Sequence, residues 1–185
     1  MHDQSDASLL EAWRAGDPAA GRVLFERHFE AVARFFSSKV PQECDDLVQT
    51  TFLACAESSG TFEGRSSFRG YLLGIANHVL LRHLRRHCAR GPSVNLEQVS
   101  LHDLGTSLSV KVARNAEHAA LIEALRRLPL PEQVVLELYY WEELPASELA
   151  VLLETPEGTI RTRIRSAKRR LARLLDDMPA RLRPE

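Results

Sequence analysis

Apolar residues recur along nearly the whole chain at steps of three and four, the spacing of one helical face. Nowhere do they alternate as a half-buried strand requires. Leu24, Phe25, His28, Phe29, Val32, Phe35 and Phe36 make one stripe, ended by Pro41. Leu47, Val48, Thr51, Phe52 and Cys55 make a second, and Phe68, Leu72, Ile75, Ala76, Val79, Leu80 and Leu84 a third. Ser8 and Glu11 have the spacing of a capping box, while Asp17 and Pro18 suit the N-cap and first position of the next helix. Residues 93–115 lose the pattern and read as a flexible linker. Periodicity returns from Ala116 to Leu128, then over Glu132–Trp141, Ala146–Leu153 and Pro156–Leu175, with Thr155 as N-cap of the last. The pattern predicts an all-α chain of two helical domains, 1–92 and 116–185, joined by that linker.

Charge divides the chain differently. The net charge of 185 residues is −1, which argues against a nucleic-acid binder until it is resolved by segment. Residues 1–60 carry −5, 61–92 carry +5, 93–154 carry −6 and 155–185 carry +5. Two basic blocks inside helical patterns point to polyanion contacts at two places. With its acidic blocks opposing them, the isolated chain should bind bare DNA poorly. Three cysteines without a CxxC pair suit a reducing cytoplasm. No apolar run nears the ~18 residues of a membrane span.

The segment from Leu144 to Leu174 has the form of a helix-turn-helix. Ile160, Ile164, Ala167 and Leu171 give the last helix an inner stripe, and Arg161, Arg163, Arg165, Lys168, Arg169 and Arg170 occupy other positions. Such a helix can enter a major groove, where Arg forks reach guanine edges and phosphates. The alternative is a solvated basic face. Pro156-Glu157-Gly158-Thr159-Ile160-Arg161-Thr162-Arg163-Ile164-Arg165-Ser166-Ala167-Lys168 resembles the recognition helix of extracytoplasmic-function (ECF) sigma factors. The resemblance implies −35 promoter contacts by Thr159, Arg161, Thr162, Arg163, Arg165, Ser166, Lys168 and Arg169.

The first half carries the same resemblance. Asp45-Asp46-Leu47-Val48-Gln49-Thr50-Thr51-Phe52 is similar to the family's region-two helix. That implies docking on the β′ clamp helices of RNA polymerase through Asp45, Asp46, Gln49 and Phe52. Thr50 stands where Glu is usual. Phe62-Glu63-Gly64-Arg65-Ser66-Ser67-Phe68 and the following Arg69-Gly70-Tyr71-Leu72-Leu73-Gly74-Ile75-Ala76 are similar to the loop and helix that capture a flipped −10 base. Here the resemblance implies contacts by Phe62, Gly64, Arg65, Ser66, Ser67, His78, Arg82, Arg85 and Arg86. Taken by the residues alone, Phe62 offers a stacking face and the arginines phosphate contacts. His78 and Arg82 replace the usual Asn and Asp.

The family further implies partners: the polymerase core with its β flap, promoter DNA, and an anti-sigma factor. With ten residues after Leu175, regulation is expected to come from another chain and not from a further domain of this one. A free-standing helix-turn-helix regulator with an N-terminal partner-binding bundle is the alternative, and an interaction adaptor without a DNA role a third. No catalytic set, phosphate loop, cofactor site or membrane insertion is expected. His83 and His87, four apart beside Cys88, have a metal-compatible spacing, but no second ligand pair accompanies them and neighbouring arginines oppose a cation.

Overall fold

The computed structural model describes residues 4–58, 60, 62–87, 95–96, 98–104 and 116–177. Eight helices occupy these residues: α1 (Asp6–Arg14), α2 (Pro18–Ser37), α3 (Cys44–Ser58), α4 (Phe68–His87), α5 (Ala116–Arg126), α6 (Leu130–Tyr140), α7 (Ala146–Leu152) and α8 (Glu157–Asp176). No strand is present among the described residues; an isolated bridge joins Ser100 to Pro129.

Local chemistry sets the helix ends. The expected box at Ser8 and Glu11 is displaced: Ser5 caps α1, its side chain accepting from the Ser8 N–H at 3.3 Å. Ser8 instead lies one turn inside, and its hydroxyl donates to the Ser5 carbonyl. Gly16 ends the turn after α1 at φ +101°, a conformation open to glycine and costly for other residues. Asp17 then caps α2 as expected, accepting from the Ala19 N–H at 2.9 Å. The reversal lays Trp13 across Gly21, where a Cβ would come within 2.6 Å of the indole nitrogen. At the other end of the chain Thr155 is not the cap of α8. Pro156 holds that position, without a side-chain hydrogen bond, and the Thr155 hydroxyl donates to the Leu153 carbonyl.

The predicted stripes pack as helical faces, with one exception. Leu24, His28, Val32, Phe35 and Phe36 are buried on α2, but Phe29 is half exposed. His28 is tolerated on the inner face because its Nε2 lies 2.7 Å from the Asp6 carboxylate. Leu47, Val48, Thr51 and Cys55 face in from α3, and Phe68, Leu72, Leu73, Ala76, Val79, Leu80 and Leu84 from α4. Seven residues of α7 are too few to hold a helix in water. Burial of Leu149 and Leu152 stabilises it instead, each worth about 1.5–3 kcal/mol.

The two halves share one apolar cluster, running from Leu9 through α4 to Ala167. Part of the expected linker joins it. Leu96 and Leu101 are buried, the Leu130 N–H donates to the Val99 carbonyl, and the His102 N–H to the Arg126 carbonyl. The rest of that linker lies outside the described residues, as do Cys88 and the side chain of His87.

Polar groups complete the contact. Lys39 is fully buried at the end of α2 and pairs with Glu137 of α6. The carboxylate also accepts from the Ser38 hydroxyl and, at 2.7 Å, from the Gln133 amide. Burial lowers the Lys39 pKa from its usual value, and Glu137 opposes the shift. Arg126 of α5 donates to the Ser38 and Lys39 carbonyls, both at 3.0 Å, so the C-terminal half caps the end of α2. Lone buried charges would be prohibitive; these have partners on the opposing half.

Candidate nucleic-acid and polymerase interfaces

Helix α8 presents the predicted basic side to solvent. Ile160, Ile164 and Ala167 turn inward and fix its register. Thr159, Arg161, Thr162, Arg165, Lys168 and Arg169 are exposed along its outer surface. Glu157 holds the Arg161 guanidinium one turn earlier, at 2.5–2.9 Å. The hydroxyl of Thr162 donates back to the Gly158 carbonyl. Two expected residues lie elsewhere. Half-buried Ser166 donates to Glu132 at 3.4 Å. Arg163 lines a cleft of about 260 Å³ beside Arg85 of α4. The turn between α7 and α8 passes through Glu154 at φ 50°, where an L residue is strained.

A second surface surrounds the start of α4. Gly64 adopts φ +71° in the loop, giving that position a backbone reason for glycine. Exposed Arg65 pairs with Glu63. Phe62 is half-buried; its ring lies 4.6 Å from that of Tyr71 and meets Phe68 edge-on. Its carbonyl accepts from Arg14 at 2.6 Å. The face that sequence reasoning offered for stacking is thus occupied by Tyr71 in this conformation. Ser66 is half-buried, whereas Ser67 caps α4, accepting from the Gly70 N–H at 3.0 Å. His78, Arg82, Arg85 and Arg86 line the exposed side of α4.

The third surface is an open apolar groove of about 980 Å³ between α2 and α3. Trp13, Phe25, Phe29, Phe52 and Leu53 line it, with Asp45 and Gln49 on its rim. Phe29 and Phe52 are parallel at 6.3 Å, and Phe25 lies 4.6 Å from Phe52. Leu53 is 59% exposed and Phe29 50%. Contiguous apolar exposure rimmed by polar groups marks an interaction site. Asp46 is exposed but does not line the groove. Sequence reasoning missed Phe29 and Leu53: periodicity assigned Phe29 to the core, and a single exposed leucine has no signature.

Among the described residues no group of His, Cys, Asp and Glu could hold a metal ion. Cys44 and Cys55 are both free thiols. Burial pushes the Cys55 thiol up to about 12, and burial together with the Asp45 charge raises that of Cys44.

The described residues thus present two basic helix surfaces, one of them on a helix-turn-helix, and an exposed apolar groove. The family profiles "Sigma-70 region 2" and "Sigma-70, region 4" match residues 24–89 and 118–171. The ECF RNA polymerase sigma factor SigM of Mycobacterium tuberculosis is 31% identical over 176 residues, covering 94% of this chain and 86% of SigM. The ECF RNA polymerase sigma-E factor of Escherichia coli is 28% identical over 173 residues, covering 89% and 91%. Among solved structures, CnrH in complex with the cytosolic domain of CnrY superposes with a TM-score of 0.70 at 25% identity, over 95% of this chain and 100% of that one. RpoE of Bartonella quintana, in complex with the anti-sigma factor NepR, has the same fold at a TM-score of 0.64 and 19% identity, over 85% and 98%. The chain belongs to the ECF sigma factors of the sigma-70 family. It is an RNA polymerase sigma factor.

Proposed function

We propose that this sigma factor directs promoter-specific initiation by reading a −35 duplex with α8 and a melted −10 strand with the loop and helix from Phe62 to Arg86. The observation carrying the reading is the outer side of α8. Six of its eight candidate residues, Thr159, Arg161, Thr162, Arg165, Lys168 and Arg169, are exposed together on a helix whose opposite side is locked into the core. A positively charged helix with short polar side chains between its arginines fits a major groove.

In this reading residues 1–92 form the unit that holds polymerase and the −10 strand, 93–115 the linker, and 116–185 the −35 unit. The groove of Phe25, Phe29, Phe52 and Leu53, edged by Asp45 and Gln49, receives the β′ clamp helices; the C-terminal unit meets the β flap. Aromatic anchors within a polar rim are how stable interfaces are built. An anti-sigma factor is a further partner, as for the RpoE neighbour. Catalysis belongs to the polymerase.

The test is transcription from start sites mapped after overexpression, reconstituted with purified core polymerase. Arg161→Ala with Arg165→Ala should lower specific initiation by 10-fold or more, each lost base or phosphate contact removing about 1–3 kcal/mol. A chain that binds duplex operator tightly alone and never associates with core enzyme would instead be a free-standing regulator.

A further inference from the structure

The acidic block of residues 93–154 and the basic block of 61–92, separate in sequence, meet in the fold. Three carboxylates from the second half lie along α4 and its loop. Glu142, in the turn after α6, pairs with Arg69 and, at 2.9 Å, with Arg34. Glu148 of α7 accepts from the Ser67 N–H at 2.9 Å and from the Ser67 hydroxyl. Glu154, in the turn of the helix-turn-helix, lies 4.0 Å from His78. The approach depends on bare backbone. A Cβ at Gly70 would overlap the Glu148 carboxylate, and one at Gly74 would touch Leu152 a turn further along α7.

Two of the carboxylates hold donors that a nucleic-acid phosphate would also take, a guanidinium and the backbone amide and hydroxyl of Ser67 at a helix N-terminus, and the third lies within ion-pair reach of an imidazole. Glu142 and Glu148 meet α4 at its first turn, through Arg69 and Ser67, and Glu154 lies about two to three turns further along, by His78. Two of them are not placed by local preference. Glu154 adopts a left-handed conformation at φ 50°, and Glu142 is buried to 4% exposure, an expensive state for an anion without cationic partners.

We propose that the segment from Glu142 to Glu154 is an internal mimic of a nucleic-acid backbone, engaging the first half of α4 from Ser67 to His78 in the free chain while Arg82, Arg85 and Arg86 stay exposed. The proposal rests on the reading of α4 as the −10 element. A melted strand that reaches Ser67 and His78 must displace these carboxylates with its phosphates, which requires the second half to move off α4. The free protein therefore competes with single-stranded DNA intramolecularly, and the closed arrangement is the one that holds back.

The test measures binding of the full chain to a short fluorescein-labelled single-stranded oligonucleotide by anisotropy at low salt. Glu148→Gln with Glu154→Gln is compared with Glu11→Gln plus Glu117→Gln, two exposed positions giving the same change in net charge. The first pair should bind about tenfold tighter than the control. Its affinity should also fall more steeply with salt, by about 0.7 in log–log slope per phosphate newly engaged. Glu142→Gln is left for a third variant because its buried site puts folding at risk. Equal affinities and equal slopes for the two pairs overturn the proposal. Promoter-specific transcription by wild-type protein is scored separately: if it succeeds while the two pairs bind alike, only the mimic is refuted, and if it fails the −10 reading falls with it.

Discussion

Removing the Glu137 carboxylate while leaving Lys39 tests how the halves are held. In Glu137→Leu the ammonium keeps only the Phe35 carbonyl at 2.9 Å, the Ser38 hydroxyl at 3.2 Å and the face of the Phe35 ring, 4.0 Å from its centroid. Breaking one side of a buried pair costs about 3–5 kcal/mol. For a chain of this size that corresponds to a fall in Tm of roughly 10 °C. Replacing both groups, Lys39→Met with Glu137→Leu, removes the unpaired charge; the Gln133 amide loses its acceptor, at a cost of about 1–3 kcal/mol. Lys39→Met alone strands the Glu137 carboxylate at a similar cost of about 3–5 kcal/mol, so a double-mutant cycle by urea denaturation should return a coupling of about 3 kcal/mol or more. The deficit of Glu137→Leu should also shrink as pH rises. Burial already lowers the Lys39 pKa, and the variant lacks the main group opposing that shift. A base with a depressed pKa binds fewer protons folded than unfolded, so alkali favours its folded form up to its ordinary value of 10.5. Additive single losses, with a coupling below about 0.5 kcal/mol, would refute the view that this pair acts as a buried ionic contact.

Three further outcomes follow from the geometry. Gly16→Ala should cost about 1–2 kcal/mol by thermal denaturation, because φ +101° strains any side chain there although nothing crowds it. Phe29→Ala should leave Tm within about 2 °C yet weaken binding to core polymerase about tenfold in a pull-down titration, as the ring is half exposed at the groove. A Tm loss without an affinity loss would make Phe29 a packing residue. Cys55 holds its proton up to about 12 when folded, against 9.0 ordinarily, so its contribution is complete below pH 9.0 and disappears as pH climbs toward 12. The stability difference between wild type and Cys55→Ala, followed from pH 8 to 11 by urea titration, should narrow at the alkaline end.

The helices were legible because burial imposes a period on them. The stripes of α3 and α4 and the inward Ile160, Ile164 and Ala167 of α8 sit where spacing alone puts them. The family was legible because its motifs concentrate polar residue types at fixed offsets. What could not be read came from the contact between halves. Lys39, Arg126, Glu137 and Glu142 look like solvated surface residues in sequence, and only the apposition of α2 with α5 and α6 buries them. Phe29 erred in the opposite sense: helical period places it beside Phe25 and Val32, but a period does not say how wide a face the neighbours cover. Ser8 and Thr155 show a third limit, since backbone geometry selects the capping position: Ser5 takes it at α1, and at α8 Pro156 does, with no side-chain hydrogen bond.

Arg126 finishes the last turn of α2, a helix of 20 residues and so about 30 Å long. Phe25 and Phe29 sit on that same helix, at the groove. A rod this short does not absorb displacement along its axis. Whatever seats against the two aromatic rings and shifts the rod also shifts the carbonyls that Arg126 grips and the ammonium that Glu137 holds. Linkage makes the effect mutual: a ligand that pulls the second half away loosens or tightens the groove by the same free energy with which a partner in the groove favours that departure.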